Sequence, residues 1–138
     1  MLCTMIAAGQ KQAVSLNHIA FYVEDLGRSA KFYKDIIGLD SIPEPFRDGL
    51  HAWFRISNGL TLHLIQGSKE KLEQYKNTHT CFRIQDLDPF VDHLKKAGIM
   101  FEDVKGNKNA VTTRVDGVKQ IYFKDPDGYW IEVNNDKN

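Results

Sequence analysis

Four side chains of this sequence, His18, His63, His79 and Glu132, can each bind a divalent metal ion, and their spacing carries a pattern. His79 follows His18 by 61 positions, and Glu132 follows His63 by 69. The surrounding segments repeat at the same offsets. Asn17-His18-Ile19-Ala20-Phe21-Tyr22-Val23-Glu24-Asp25-Leu26 matches Thr78-His79-Thr80-Cys81-Phe82-Arg83-Ile84-Gln85-Asp86-Leu87 at His, Phe, Asp and Leu. The stretch from Phe54 to Leu64 matches Phe123 to Val133 at Phe and Gly, with similar residues at several other positions. All four equivalent places thus hold a ligand-type side chain. Imidazole nitrogen and carboxylate oxygen suit zinc, nickel, cobalt or iron. A single His or Glu on a strand is ordinarily a hydrogen-bonded or solvated residue. Agreement between two repeats is what makes these four the candidate metal ligands. His51 and His93 have no such support and read as surface residues. Cys81 reads as a small half-buried side chain, since spacing implies no base beside it.

The elements that must carry these residues follow from periodicity. Both repeats open on an alternating stretch that reads as a strand entering a helix. On the strands, residues two apart share a face. His18 goes with Ala20 and Tyr22, and His79 with Cys81 and Arg83. His63 goes with Thr61 and Ile65, and Glu132 with Trp130 and Asn134. The opposite faces hold Ile19, Phe21, Val23, Phe82 and Ile84, which suit packing against helices. One helix is predicted from Leu26 to Ile37, with Leu26, Ala30, Tyr33 and Ile37 on one stripe and Gly38 as its stop. A second is predicted from Asp88 to Ala97, with Phe90, Val91, Leu94 and Ala97 inward and Gly98 as its stop. Asp25 and Asp86 sit where caps are useful. Asn58-Gly59 and Asp127-Gly128 are hairpin-turn signals. Each half therefore reads strand, helix, three strands. The polar segment 66–77 joins the halves, with a helical turn expected around Glu70 to Tyr75. The loops Asp40–Gly49 and Asp103–Lys119 are long enough to carry binding residues.

Composition narrows the function classes. The chain has 138 residues, with 18 Lys plus Arg against 18 Asp plus Glu. A zero formal charge argues against a sequence-independent grip on nucleic-acid phosphates. Hydrophobic residues make up 42% and charged residues 26%, a globular mix rather than a disordered one. No apolar stretch approaches the ~20 residues of a membrane-spanning helix. Of the two cysteines, Cys3 falls in a loose terminus, so no structural disulfide is expected. Residues 1–15 read as a flexible start. Leu2 to Ala8 is apolar but short, and Ala7, Ala8 and Gly9 are like the cleavage region of an export signal. A cytoplasmic protein is the first expectation and an exported one the alternative. The sequence has no Gly-x-Gly-x-x-Gly, phosphate loop, His-Glu-x-x-His or Gly-x-Ser-x-Gly. Asp125 to Gly128 lacks the further acidic positions of a calcium loop and reads as a turn.

Three segments resemble the vicinal oxygen chelate superfamily, which includes glyoxalase I, extradiol dioxygenases and the fosfomycin and bleomycin resistance proteins. They are Leu16 to Val23 with Ser29, Phe32-Tyr33 and Gly38-Leu39; His79 with Asp86-Leu87; and Tyr122 to Val133. The run Asp125-Pro126-Asp127-Gly128-Tyr129-Trp130-Ile131-Glu132 is most similar to glyoxalase I. The resemblance covers about residues 16 to 135, as one domain of modules 16–66 and 78–135. It implies an α+β fold of two tandem βαβββ modules, whose curled mixed sheets surround a metal cleft. It also implies one divalent ion (Zn, Ni, Co or Fe) bound by His18, His63, His79 and Glu132.

The implied activity is a glyoxalase-like lyase or isomerase of the lactoylglutathione lyase type. It would act on a small substrate that chelates the metal through adjacent oxygens, with glutathione as a candidate part of that substrate. Glu132 is then the candidate catalytic residue, and Tyr22, Phe54, Arg83, Phe123 and Trp130 are the candidate substrate-binding residues. Bacterial glyoxalase I carries Glu where this chain has His63. The alternatives are an extradiol-type dioxygenase with iron on His18, His79 and Glu132, or a non-enzymatic drug or metabolite binder of the bleomycin-resistance type. The resemblance further implies a homodimer in which His18 and His63 come from one chain and His79 and Glu132 from the other. Closure of both modules of one chain on each other is the alternative. Neither a nucleic acid nor a membrane is expected as partner.

Overall fold

The computed structural model describes residues 13–57, 59–70 and 73–137. In the first half, β1 (His18–Val23) leads into α1 (Leu26–Asp35), then β2 (Asp40–Ile42), β3 (His51–Ser57) and β4 (Leu60–Gln66). In the second half, β5 (His79–Arg83) leads into α2 (Leu87–Lys96), then β6 (Thr112–Thr113), β7 (Lys119–Lys124) and β8 (Trp130–Asn134). Each half forms one mixed four-stranded sheet, ordered β1-β4-β3-β2 and β5-β8-β7-β6. In both, the first strand pairs parallel with the last, and the other neighbours pair antiparallel. The α+β reading with two βαβββ modules therefore holds.

Local chemistry accounts for the helix limits. The Asp25 carboxylate accepts from the Arg28 amide at 2.9 Å, and Asp86 accepts from the Asp88 amide at 3.1 Å, each satisfying an end donor. The second helix accordingly begins at Leu87, one residue ahead of the predicted start. The first stops at Asp35 rather than Ile37, because the Ile36 and Ile37 amides both turn back to the Phe32 carbonyl. Gly38, at φ 84°, then takes the left-handed conformation that ends a helix. Between the modules, no helix is formed by the described residues of 66–77; residues 71 and 72, within the turn expected from Glu70 to Tyr75, lie outside the described set. Cys3 and the apolar start also lie outside it.

The core lies between the helices and one face of each sheet, and it runs through both modules. Val23, Leu62, Leu64, Leu87, Leu94, Ile121 and Ile131 are fully buried in it. Each such side chain is worth about 1.5–3 kcal/mol relative to exposure. Polar contacts cross the boundary as well. The Tyr33 hydroxyl of α1 donates to Asp125 at 2.7 Å, and the Ser29 hydroxyl donates to Asp127. The Glu24 amide donates to Asp127 at 2.7 Å. At the edge of β1, the Tyr129 hydroxyl donates to the Tyr22 carbonyl at 3.2 Å and accepts from the Tyr22 amide at 3.1 Å. The Phe21 and Tyr129 rings stack there at 4.3 Å. The two carboxylates of the Asp125–Gly128 turn are hydrogen-bonded into α1 and the chain after β1. The opposite face of each sheet carries the candidate metal ligands. No helix of the described chain is long and apolar enough to cross a membrane.

Candidate metal centre

Register decides which side chains meet. In the parallel β5–β8 ladder Cys81 lies opposite Glu132, and in β7–β8 Tyr122 lies opposite Glu132. His79 Nε2 comes within 3.0 Å of Glu132 Oε2. The Asn134 amide donates to Glu132 Oε1 at 2.8 Å and reaches the Cys81 sulfur at 3.1 Å. Glu132 is only 6% exposed, so its carboxylate sits at the foot of this cluster. Burial, followed by the bond to Glu132, pushes the Tyr122 phenol well above its ordinary pKa. Burial, then the Glu132 charge, pushes the Cys81 thiol up to about 12. Both shifts favour the protonated thiol and phenol beside the carboxylate.

The second pair is on the other sheet. Ala20 lies opposite His63 in β1–β4, and Trp53 lies opposite His63 in β3–β4. The His18 and His63 rings stack at 4.3 Å with planes 10° apart. The Trp53 indole covers the same His63 ring at 4.0 Å and 1°. His63 Nε2 also bonds the Thr61 hydroxyl at 2.9 Å. Burial, then the neighbouring His18 and His51, lowers the His63 pKa, which favours the neutral imidazole that metals need. Trp53 was not expected from sequence. Its indole N–H is buried without a partner among the described residues, and only the cross-strand register reveals it beside His63.

The donor chemistry fits a divalent ion. His79 Nδ1 donates to the Lys76 carbonyl at 2.7 Å, and His18 Nδ1 donates to the Asn17 side-chain oxygen at 2.9 Å. In His18 this leaves Nε2 for a metal; in His79 it leaves Nε2 facing Glu132 Oε2, a contact that a shared ion would replace. Yet among the described residues no three His, Cys, Asp or Glu side chains gather closely enough to hold one. One chain brings together His18 with His63, and His79 with Glu132, but it does not join the two pairs.

The candidate substrate residues divide. Tyr22 is 51% exposed on the ligand face, and Arg83 and Trp130 share the His79–Glu132 face by parity. Phe54 and Phe123 are each 1% exposed and lie in the core, so their expected place in a substrate cleft is corrected. Phe54 pairs with Leu62 and Phe123 with Ile131, one step out of phase with the ligands. His51 bonds Asp48 at 2.9 Å, and His93 bonds the Asp35 carbonyl at 3.0 Å; neither joins the ligands.

Comparison with known proteins agrees with this fold. Metallothiol transferase FosB of Staphylococcus epidermidis is 32% identical over 136 residues, covering 89% of this chain and 82% of that protein. Glyoxylase I 4 of Arabidopsis thaliana is 25% identical over 127 residues, covering 88% and 70%. Among solved structures, Oxidase ChaP-H2 superposes with a TM-score of 0.75 at 26% identity, covering 91% of this chain and 95% of that one. Residues 15–133 match the model of one family, a span that includes both βαβββ modules and all four candidate ligands. With paired modules, the Asp-Pro-Asp-Gly turn and the matched ligand positions in place, the chain belongs to the Glyoxalase/Bleomycin resistance protein/Dioxygenase superfamily.

Proposed function

We propose that the protein is a metal-dependent enzyme acting on a small thiol adduct that offers two adjacent oxygens, by glyoxalase-like lyase or isomerase chemistry. One divalent ion is held between two chains, by His18 and His63 of one and His79 and Glu132 of the other. The observation that carries this reading is the pair of half-sites. Two modules place metal-type side chains at equivalent strand positions, yet no more than two of them meet within the described chain. A symmetric dimer, the commonest oligomer, supplies the second half of each site. The names of the relatives, a metallothiol transferase and a glyoxylase, support a metal and a thiol in the reaction.

A bound divalent ion supplies Lewis acidity, stabilising negative charge on a substrate oxygen. The chain's own residues do the rest. Asn134 donates to Glu132 Oε1, which fixes the carboxylate's direction and leaves Oε2 beside His79 Nε2. Glu132 moves the proton between adjacent substrate atoms, the role of a positioned general base. Tyr22, Arg83 and Trp130 line the approach.

A second reading rests on His63. Its ring is nearly parallel to that of His18, and its Nε2 is engaged by Thr61. In-plane lone pairs of parallel rings do not converge, which favours His18, His79 and Glu132 as the ligand set. Two His and one carboxylate with open positions suit iron and oxygen chemistry, as in an extradiol-type dioxygenase. The test is metal analysis of freshly purified protein, followed by reconstitution with zinc, nickel, cobalt or iron. Turnover of the methylglyoxal–glutathione adduct supports the first reading, and iron-dependent catechol cleavage supports the second. Protein that takes up no metal and still binds a ligand overturns both in favour of a binding protein.

A further inference from the structure

We infer that the segment joining the two modules is a positioning strap for His79, anchored through Lys76. This inference rests on His79 being a metal ligand, as proposed above. The chain from Gln74 to Thr78 is tied to β8 at one end and closes a turn on itself at the other. The Trp130 indole N–H donates to the Gln74 carbonyl at 2.9 Å, and the Thr78 amide turns back to the Tyr75 carbonyl at 2.8 Å. Between them, the Lys76 ammonium donates to Glu102 Oε1 at 2.7 Å and to the Asp103 carbonyl at 3.0 Å. It also lies 5.6 Å from the Tyr122 ring centre and 5.7 Å from that of Trp130, within cation–π range.

The anchor is rigid because Glu102 is itself fixed to the sheet. Its amide donates to the Tyr122 carbonyl at 2.8 Å, and its carbonyl accepts from the Tyr122 amide at 2.9 Å. The Lys76–Glu102 pair is largely enclosed, with side-chain exposures of 20% and 26%, so it is screened less than a surface pair. A closed circuit results. Glu102 holds the Lys76 ammonium, the Lys76 carbonyl accepts the His79 Nδ1 proton, and His79 Nε2 faces Glu132. Glu132 in turn sits opposite Tyr122, the residue that fixes Glu102.

This circuit does for His79 what a polar partner does for metal-binding histidines in general: it sets the tautomer and the ring direction. Lys76 acts through its main-chain carbonyl, and its side chain decides where that carbonyl sits. The sequence hides this role. Lys76 lies in the polar joining segment, outside both repeats, and its counterpart Glu102 lies 26 residues further on.

The variant is Lys76→Met, which keeps an unbranched chain over the two rings but removes the ammonium. Lys76→Glu with Glu102→Lys restores the ion pair in reverse. Two readouts are taken. One is the affinity for Zn²⁺ by calorimetry. The other is the His79 imidazole nitrogen signature by NMR in metal-free protein, which depends on no metal. The expected result for Lys76→Met is about a 10-fold loss of Zn²⁺ affinity, the low end for losing such a partner, together with loss of the hydrogen-bonded Nδ1–H signal of His79. The reversed pair should recover most of both. An unchanged His79 signature in Lys76→Met overturns the strap, whatever the affinity does. Wild-type protein that shows the Nδ1–H form and binds no Zn²⁺ overturns the metal-site reading and leaves the strap's hold on His79 standing.

Discussion

Replacing Tyr33 by Phe removes one hydroxyl from the boundary between the modules and leaves the packing in place. The Tyr33 ring is fully buried and touches Phe21, Phe32 and Phe54, contacts that a Phe ring retains. The lost interaction is the 2.7 Å bond to Asp125 Oδ2. Asp125 is 6% exposed, and its other oxygen accepts from the Asp127 and Tyr129 amides at 2.9 and 2.8 Å. Losing a buried donor to a charged acceptor costs about 1.5–3 kcal/mol. The loss should depend on pH. Burial raises the Asp125 pKa, against the opposing effect of the Tyr33 bond and the two amides. Without Tyr33 the folded-state pKa rises further. A carboxyl whose folded pKa lies above its unfolded value is destabilising while ionised, and that penalty is relieved as the pH falls through the folded pKa. The Tyr33→Phe deficit is therefore full at neutral pH and shrinks toward the upper carboxylate range. Urea unfolding of both proteins across that range measures it. A deficit below about 0.5 kcal/mol at neutral pH, the size of an unremarkable surface change, would refute the argument. So would a deficit that grows as the pH falls.

Two other expectations concern the ligand face. Glu132→Gln keeps the shape and one oxygen but removes the base, so turnover should fall by about 10²–10⁴; steady-state kinetics on metal-loaded protein check it. Cys81, with a thiol pushed up to about 12, should react with iodoacetamide near neutral pH orders of magnitude more slowly than an unperturbed thiol. A labelling time course with mass spectrometry reads that difference, and unfolding the protein should abolish it.

Much of the fold was legible because the chain repeats. Asp25 and Asp86, Gly38 and Gly98, and the matched strand starts at His18 and His79 gave the same element order twice. The ligand faces followed from a period of two, and the observed pairs His18–His63 and His79–Glu132 obey it. Phe54 and Phe123 failed on the same rule. A conspicuous aromatic beside a ligand strand looks like a cleft residue, but one step of register turns it to the core. Trp53 and Lys76 were illegible for a different reason. Their roles come from cross-strand neighbours, or from a main-chain carbonyl in a segment with no periodicity. The short strands β2 and β6 were expected in number, one of three per half, but not in place: they lie inside the predicted loops, since two or three residues carry too little pattern.

The central claim is that each metal centre draws on two chains, and subunit mixing tests it most directly. His18→Ala and Glu132→Ala each disable one half-site and should bind no Zn²⁺ tightly alone. If the site is shared, a mixed dimer of the two variants has one doubly damaged site and one intact site. Random reassortment of the two should then restore tight Zn²⁺ binding to about a quarter of wild-type sites, as two-fold symmetry requires. Complete absence of recovery in a mixture shown to exchange subunits would contradict the shared site, and so would tight stoichiometric binding by either variant alone.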